Sequence, residues 1–185
     1  MTRVFLETER LVLRDKRPGD LDFTVSLYTD PQVMRFIGDG TTFPRDEVEA
    51  RFFRVLEIEN ALGHERWDAF KIVERKSDGA PIGQAGMLRC EIDGVPDVEI
   101  GWWLAPSAWG CGYATEAALA LRNFAFRELG LDHLSIVLFP ANRKSVAVAQ
   151  RIGGEYAGEV VYRGRSVTRY AVRNPANQAS TDLTT

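Results

Sequence analysis

The sequence predicts one mixed α/β domain, and three observations carry that expectation. Helix-period and strand-period segments alternate along most of the 185 residues without a regular strand–helix–strand repeat. Three strand-like runs, "WDAFKIVER", "PIGQAGMLRCEI" and "DVEIGWWLA", are separated by the turns "KSDGA" and "IDGVPD", each with an Asp-Gly pair, which is the pattern of an antiparallel meander. Helical runs end at glycines rather than continuing. A hydrophobic content of 45% supplies a sizeable core for one domain of this length.

Taken in order, "ERLVLRDK" has strand chemistry. "PGDLDFTVSLY" offers Asp20 as the N-cap of a first helix, and "DPQVMRF" puts Asp30 at the N-cap and Pro31 at the first helical position of a second. From Asp46 to Leu62 apolar residues at 48, 52, 55, 56 and 62 mark an amphipathic helix, with Gly63 as its stop. After the meander, "AWGCGYATEAALAL" from Ala108 opens a helix that runs to Leu129 and stops at Gly130. "LDHLSIVLF" is a β-branched strand, and "NRKSVAVAQRI" a short helix closed by Gly153 and Gly154. The strands "EYAGEVVY" and "SVTRYAVR" flank the turn "RGR". The expected order is β-α-α-α-β-β-β-α-β-α-β-β. "NPANQASTDLTT" holds a helix-breaking Pro175 and little apolar content, so the domain is expected over 1–175 and a flexible tail over 176–185.

Composition excludes several function classes. A formal net charge of −3 and a pI near 5.5 argue against a nucleic-acid or anionic-membrane partner held by the overall field. Arg163, Arg165, Arg169 and Arg173 crowd the C-terminal segment and read as a solvated strand face in preference to a site for an acidic group. Cys90 and Cys111 have no CxxC spacing, which fits a reducing cytosol. The N-terminus is too polar for a signal peptide and no apolar run approaches a membrane span, so a cytoplasmic chain is expected. With so few His and Cys, no metal site is expected.

Four features bear on chemistry. Glycines ahead of a helix start let an anion approach unpaired N–H groups, yet "WGCGYATEA" lacks the Lys of a P-loop and the third Gly or Ala of a dinucleotide fingerprint. Read alone, the loop is an anion site or a plain turn. Cys111 at a helix N-terminus suggests a nucleophile, but only His64 and His133 exist as bases and neither has a recognisable spacing; a loop residue contributing its backbone is the simpler reading. Glu99 shares a strand face with Gly101 and Trp103; if that face is covered, burial raises its pKa toward that of a base working near neutrality. Asn142 and Ser145 read locally as an N-cap and a first-turn residue, Glu116 as a first-turn carboxylate, and Trp102, Trp103 and Trp109 as core and cleft walls.

Together "ETERLVLR", "DPQVMRFIG", "VEIGWWLAP", "WGCGYATEAALAL" and "NRKSVAVAQRIGG" resemble the GNAT superfamily of acyl-CoA-dependent N-acetyltransferases, nearest the branch with the ribosomal-protein N-terminal acetyltransferases. The resemblance implies a central, mostly antiparallel twisted sheet, splayed between the Glu99 strand and the next and flanked by helices. The family's Gln/Arg-x-x-Gly-x-Gly/Ala signature falls on Trp109 to Ala114, with Trp109 in place of Gln or Arg. It implies that the backbone N–H groups of Gly110, Cys111, Gly112, Tyr113, Ala114 and Thr115 hold the CoA pyrophosphate. Trp102, Trp103 and Leu104 then line the pantetheine arm like an added strand, with Asn142 near it.

The implied reaction is direct acetyl transfer from acetyl-CoA to a primary amine through a ternary complex, without a metal. Glu99 is the implied base, and a backbone N–H near Leu104 meets the oxyanion. Where many relatives have a tyrosine acid seven residues after the asparagine, this chain has Ala149, which leaves Ser145 as the replacement acid or a sulfur-binding hydroxyl. The acceptor enters across the helical N-terminal third, past Met34, Arg35, Phe36, Phe43 and Trp67. A protein N-terminus, a polyamine, an aminoglycoside or an amino-acid-like amine all remain open, and dimers are common in the family. The competing reading is a non-catalytic acyl-CoA-binding module on the same fold.

Overall fold

Strand alternation and turn chemistry set the sheet. A computed structural model of the chain describes residues 3–62 and 67–178. The expected first strand is a hairpin of β1 (Val4–Glu7) and β2 (Leu11–Arg14). Thr8 closes its turn, its backbone N–H donating to Leu11 O and its hydroxyl accepting from Leu11 N–H, each at 3.0 Å. A strand as short as β1 carries too little period to be read from sequence. The helices α1 (Leu21–Thr29), α2 (Pro31–Met34) and α3 (Arg45–Leu62) follow. Asp30 caps α2 as expected, accepting from Gln32 N–H at 2.7 Å. Asp20 does occupy the N-cap position of α1, but its side chain makes no cap bond and turns instead to Arg14. Gly63, the expected stop of α3, lies outside the described residues.

The meander forms as β3 (Phe70–Arg75), β4 (Ala80–Ile92) and β5 (Val95–Leu104). Asp93 and Gly94, at φ 52° and 78°, make the two-residue turn that joins β4 to β5. Then come α4 (Tyr113–Arg127), β6 (His133–Leu138), α5 (Arg143–Arg151), β7 (Gly154–Tyr162) and β8 (Arg165–Arg173). Helix α4 ends before Leu129; the chain then turns at Gly130, φ 64°. Pro175 starts a short helix, α6 (Pro175–Gln178), rather than breaking one, and Asn174 Oδ1 accepts from Ala176 N–H at 3.1 Å. The expected tail beyond residue 178 lies outside the described residues.

The eight strands form one sheet in the order β1-β2-β3-β4-β5-β6-β8-β7. Every neighbouring pair is antiparallel except β5 and β6, which run parallel and share a single register pair, Glu99 with Ser135. One face packs on α4 and α5: Ile100, Trp102 and Leu104 meet Ala117, Ala118 and Leu121, while Leu134 and Ile136 meet Val148 and Ala149. Small alanines let α4 lie close to the strands. The opposite face carries Trp103, whose ring meets Phe70 at 4.4 Å and Tyr28 of α1 at 6.1 Å. Helices α1–α3 roof that side. No described helix is long and apolar enough to cross a membrane.

Candidate active site

Beyond Glu99, β5 and β6 diverge and open a cleft. Residues of an antiparallel strand direct their backbone polar groups alternately to one neighbour and the other. Ala105 N–H donates to Ile82 O of β4 at 2.9 Å, so in the unbroken β4–β5 register Trp103 also faces β4. Trp102 and Leu104 therefore turn their N–H groups away from β4, into the cleft. Their side chains do not line it: Trp102 and Leu104 are buried beneath α4, and Trp103 lies under α1. The backbone is what this wall presents.

A second set of donors lies past the end of β5. Trp109 N–H bonds Pro106 O, and Glu116 N–H bonds Gly112 O. Between them, the six N–H groups from Gly110 to Thr115 have no acceptor among the described residues. Gly110 and Gly112 sit at φ 77° and 81°, the left-handed conformation that bends a run of amides toward one point. The positive end of the α4 dipole adds to this cradle.

Arg10, which sequence reasoning missed, holds the loop from behind. Its Nη1 donates to Cys111 O at 3.0 Å, its Nε and Nη2 meet Glu116 Oε2 at 2.6 Å, and its guanidinium lies 4.7 Å from the Tyr113 ring centre. Thr8 Oγ1 also donates to Glu116, at 2.6 Å. C=O and N–H of a trans peptide point oppositely, so fixing Cys111 O on Arg10 aims Gly112 N–H to the other side. The same contacts neutralise Glu116, a carboxylate that would otherwise oppose an anion at this helix start. Cys111 itself is exposed, with Sγ 3.6 Å from Trp109 O. The described histidine, His133, instead sits 3.4 Å from Asp97.

Glu99 stands at the apex of the cleft, facing the helical roof. Burial pushes its carboxyl above the usual range, opposed by Tyr162 Oη, which donates to Oε2 at 2.7 Å, and by the charge of Arg163. One turn of the pleat away, Asp97 is 4% exposed and accepts from Arg169 Nη2 and Ser135 Oγ, each at 2.8 Å. Arg169 Nε donates to Ser135 Oγ, also at 2.8 Å. Arg169 is thus a partly buried member of a polar network rather than part of a solvated strand face. A pattern of alternate arginines shows no sign of which one turns inward, and Tyr162 gave no signal at all.

At the other wall, Asn142 caps α5, its Oδ1 accepting from Ser145 N–H at 3.2 Å. The Ser145 hydroxyl has no hydrogen-bond partner among the described residues and is half-buried in the first turn, whereas Ala149 is fully buried in the core. Of the expected acceptor walls, Met34 is core, Phe36 stands 6.5 Å from Phe139, and Phe43 packs on Tyr28. Trp67 lies elsewhere, in a groove of about 480 Å³ with Arg89, Leu129 and His133. Among the described residues no cluster of His, Cys, Asp or Glu is arranged to hold a metal.

A parallel seam opens onto strand amides that face away from β4, beside a helix start with six more unpaired amides. The chain belongs to the acetyltransferase (GNAT) domain family, which it matches over residues 10–155. YkkB of Bacillus subtilis (strain 168) is 30% identical over 155 residues, covering 82% of this chain and 86% of that protein. An acetyltransferase structure from Agrobacterium tumefaciens str. C58 has 31% identity and a TM-score of 0.69, covering 92% and 94%. A spermidine N-acetyltransferase from Vibrio cholerae, solved with CoA and spermine, shows the same fold at 20% identity and a TM-score of 0.67, covering 90% and 97%.

Proposed function

We propose that the protein transfers the acetyl group of acetyl-CoA directly to a primary amine in a ternary complex, with Glu99 as the general base. The observation that carries this reading is the position of Glu99: a partly desolvated carboxylate at the apex of a cleft, facing the helical roof where an amine enters. The unpaired amides of Gly110 to Thr115 fit a pyrophosphate, and the inward N–H groups of Trp102 and Leu104 fit an extended amide-bearing arm.

An α-amine titrates near pH 8 and a lysine near 10.4, so the acceptor arrives mostly protonated. Glu99, raised by burial, removes that proton as the amine attacks the thioester carbonyl. A strand N–H at Leu104 steadies the oxyanion, and the unpartnered Ser145 hydroxyl bonds the departing sulfur or a water that does. The transfer is direct, and Cys111, exposed in the loop, contributes its backbone N–H. Release of free thiol from acetyl-CoA, measured against an amine panel with peptide N-termini, tests the reading. Tight CoA binding with no thiol released by any amine would leave a binding module instead.

Gly112→Val tests the cradle. At φ 81° a β-branched residue is strained by roughly 1–2 kcal/mol and shifts the amides that converge there. Acetyl-CoA affinity, measured by calorimetry on folded variant, is expected to fall by about tenfold or more, near 1.4 kcal/mol. A folded variant with unchanged affinity would place the pyrophosphate elsewhere.

A further inference from the structure

The acceptor mouth over Glu99 is built by three segments. The chain after α2 supplies Arg35, Phe36 and Gly38, the end of β6 supplies Phe139, and the β7–β8 turn supplies Tyr162, Arg163 and Arg165. They are tied together: Arg165 Nη1 donates to Gly38 O at 3.2 Å, its guanidinium lies 4.6 Å from the Phe139 ring centre, and Phe36 is 6.5 Å from the same ring. Arg163 stacks 5.1 Å from the ring of Tyr162, whose hydroxyl holds Glu99.

The rim of this mouth carries mostly positive charge. Arg35, Arg163 and Arg165 enter no ion pair with a described residue, whereas Arg10, Arg14, Arg45 and Arg75 each sit within 2.7 Å of a carboxylate. Two carboxylates oppose it: Asp39 feels Arg165 and is held by side-chain and backbone donors of Thr41, and Glu99 feels Arg163 from the base of the mouth. Guanidinium groups held over rings lose little freedom when a carboxylate meets their remaining N–H groups; Arg165 spends one of its own on Gly38 O. Such a mouth attracts anions, repels polycations, and disfavours the protonated form of any amine that enters.

Resting on the acetyl-transfer reading above, we propose that the acceptor is a primary amine with a carboxylate close to it, and that Arg163 and Arg165 select it over polyamines and aminoglycosides. Two sources share that chemistry: a peptide N-terminus followed by an acidic residue, and a small amino-acid-like amine. Amidated tripeptides that differ only in Glu, Gln or Lys at the second position, β-alanine and spermidine are offered as acceptors with acetyl-CoA.

The expected order of kcat/KM is Glu over Gln over Lys, with Glu ahead of Lys by about tenfold, and the gap narrows as salt is raised. The Arg163→Glu variant, altered at an exposed turn, is expected to shrink that gap, and Arg163→Glu with Arg165→Gln to abolish it. β-Alanine matching the Glu peptide would identify the small-amine source; the Glu peptide alone would identify a peptide terminus. Equal use of the three peptides, or preference for the Lys peptide or spermidine, overturns the proposal. If no acceptor releases thiol, the acetyl-transfer reading fails. Equilibrium binding of the same peptides to the CoA-saturated protein then decides the charge preference: tighter Glu peptide upholds it, and equal binding overturns it.

Discussion

Glu99→Gln is expected to slow acetyl transfer by about 10²–10⁴-fold, the usual effect of removing a positioned base. That range corresponds to roughly 2.7–5.4 kcal/mol of barrier. Glutamine keeps the shape and can still accept from Tyr162, so acetyl-CoA affinity should be nearly unchanged. The pH profile gives the sharper reading. Burial raises the Glu99 carboxyl, with the Tyr162 bond working the other way, and the base acts only when deprotonated. Wild-type kcat/KM should therefore fall as pH drops through that raised value, and the variant should lose that limb. An unaltered rate and profile would remove Glu99 from the mechanism.

Asp20→Ala carries the largest expected effect on stability. Asp20 and Arg14 are 2% and 3% exposed and meet through paired bonds of 2.7 and 2.8 Å, with Arg14 Nε on Glu74 at 2.6 Å. Asp20 also accepts from Arg17 N–H at 2.8 Å. Removing the carboxylate leaves a buried guanidinium with Glu74 as its one carboxylate and Asp15 O as its one further acceptor, at a cost of about 3–5 kcal/mol in unfolding experiments. The pH dependence follows from the same contacts. Burial works to raise Asp20, but the Arg14 and Arg17 bonds outweigh it and hold the carboxyl below its usual range. A depressed folded pKa means the stabilisation is full above the unfolded value near 3.9 and fades as pH falls through the folded one. Wild type should lose that share of stability in acid, and the variant should lack it throughout. An unchanged Tm would show the pair to be replaceable. The contact matters for function because it pins the start of α1, and with it the roof over Glu99, to β2.

Much of this was legible in the sequence because local chemistry had one solution. Asp93-Gly94 could make only a tight hairpin turn and Asp30-Pro31 only a helix start. Glu99 could be assigned to a strand face because alternation is strict. The sequence did not disclose partners far along the chain. Arg10 and Glu116 are 106 residues apart, and Asp97 and Arg169 are 72 apart. Each charge reads locally as solvent-facing, because nothing near it names its counter-ion. Asp20 holds the cap position that its place in the sequence suggests, but Arg14, brought alongside by the fold, is the stronger partner for its carboxylate. Residue type marks the tryptophans as core or cleft walls without dividing them; the pleat sends Trp102 into the core under α4 and Trp103 to the opposite, roofed face.

The lone Glu99–Ser135 rung has a mechanical meaning. On either side of it the sheet is two plates, β1 to β5 and β6 to β8, meeting along a seam that the ladder itself barely stitches. Asp97, Ser135 and Arg169 act there as rivets, joining β5, β6 and β8 by side chains where backbone pairing ends. At that seam three side chains make as many hydrogen bonds between the plates as a short run of ladder would.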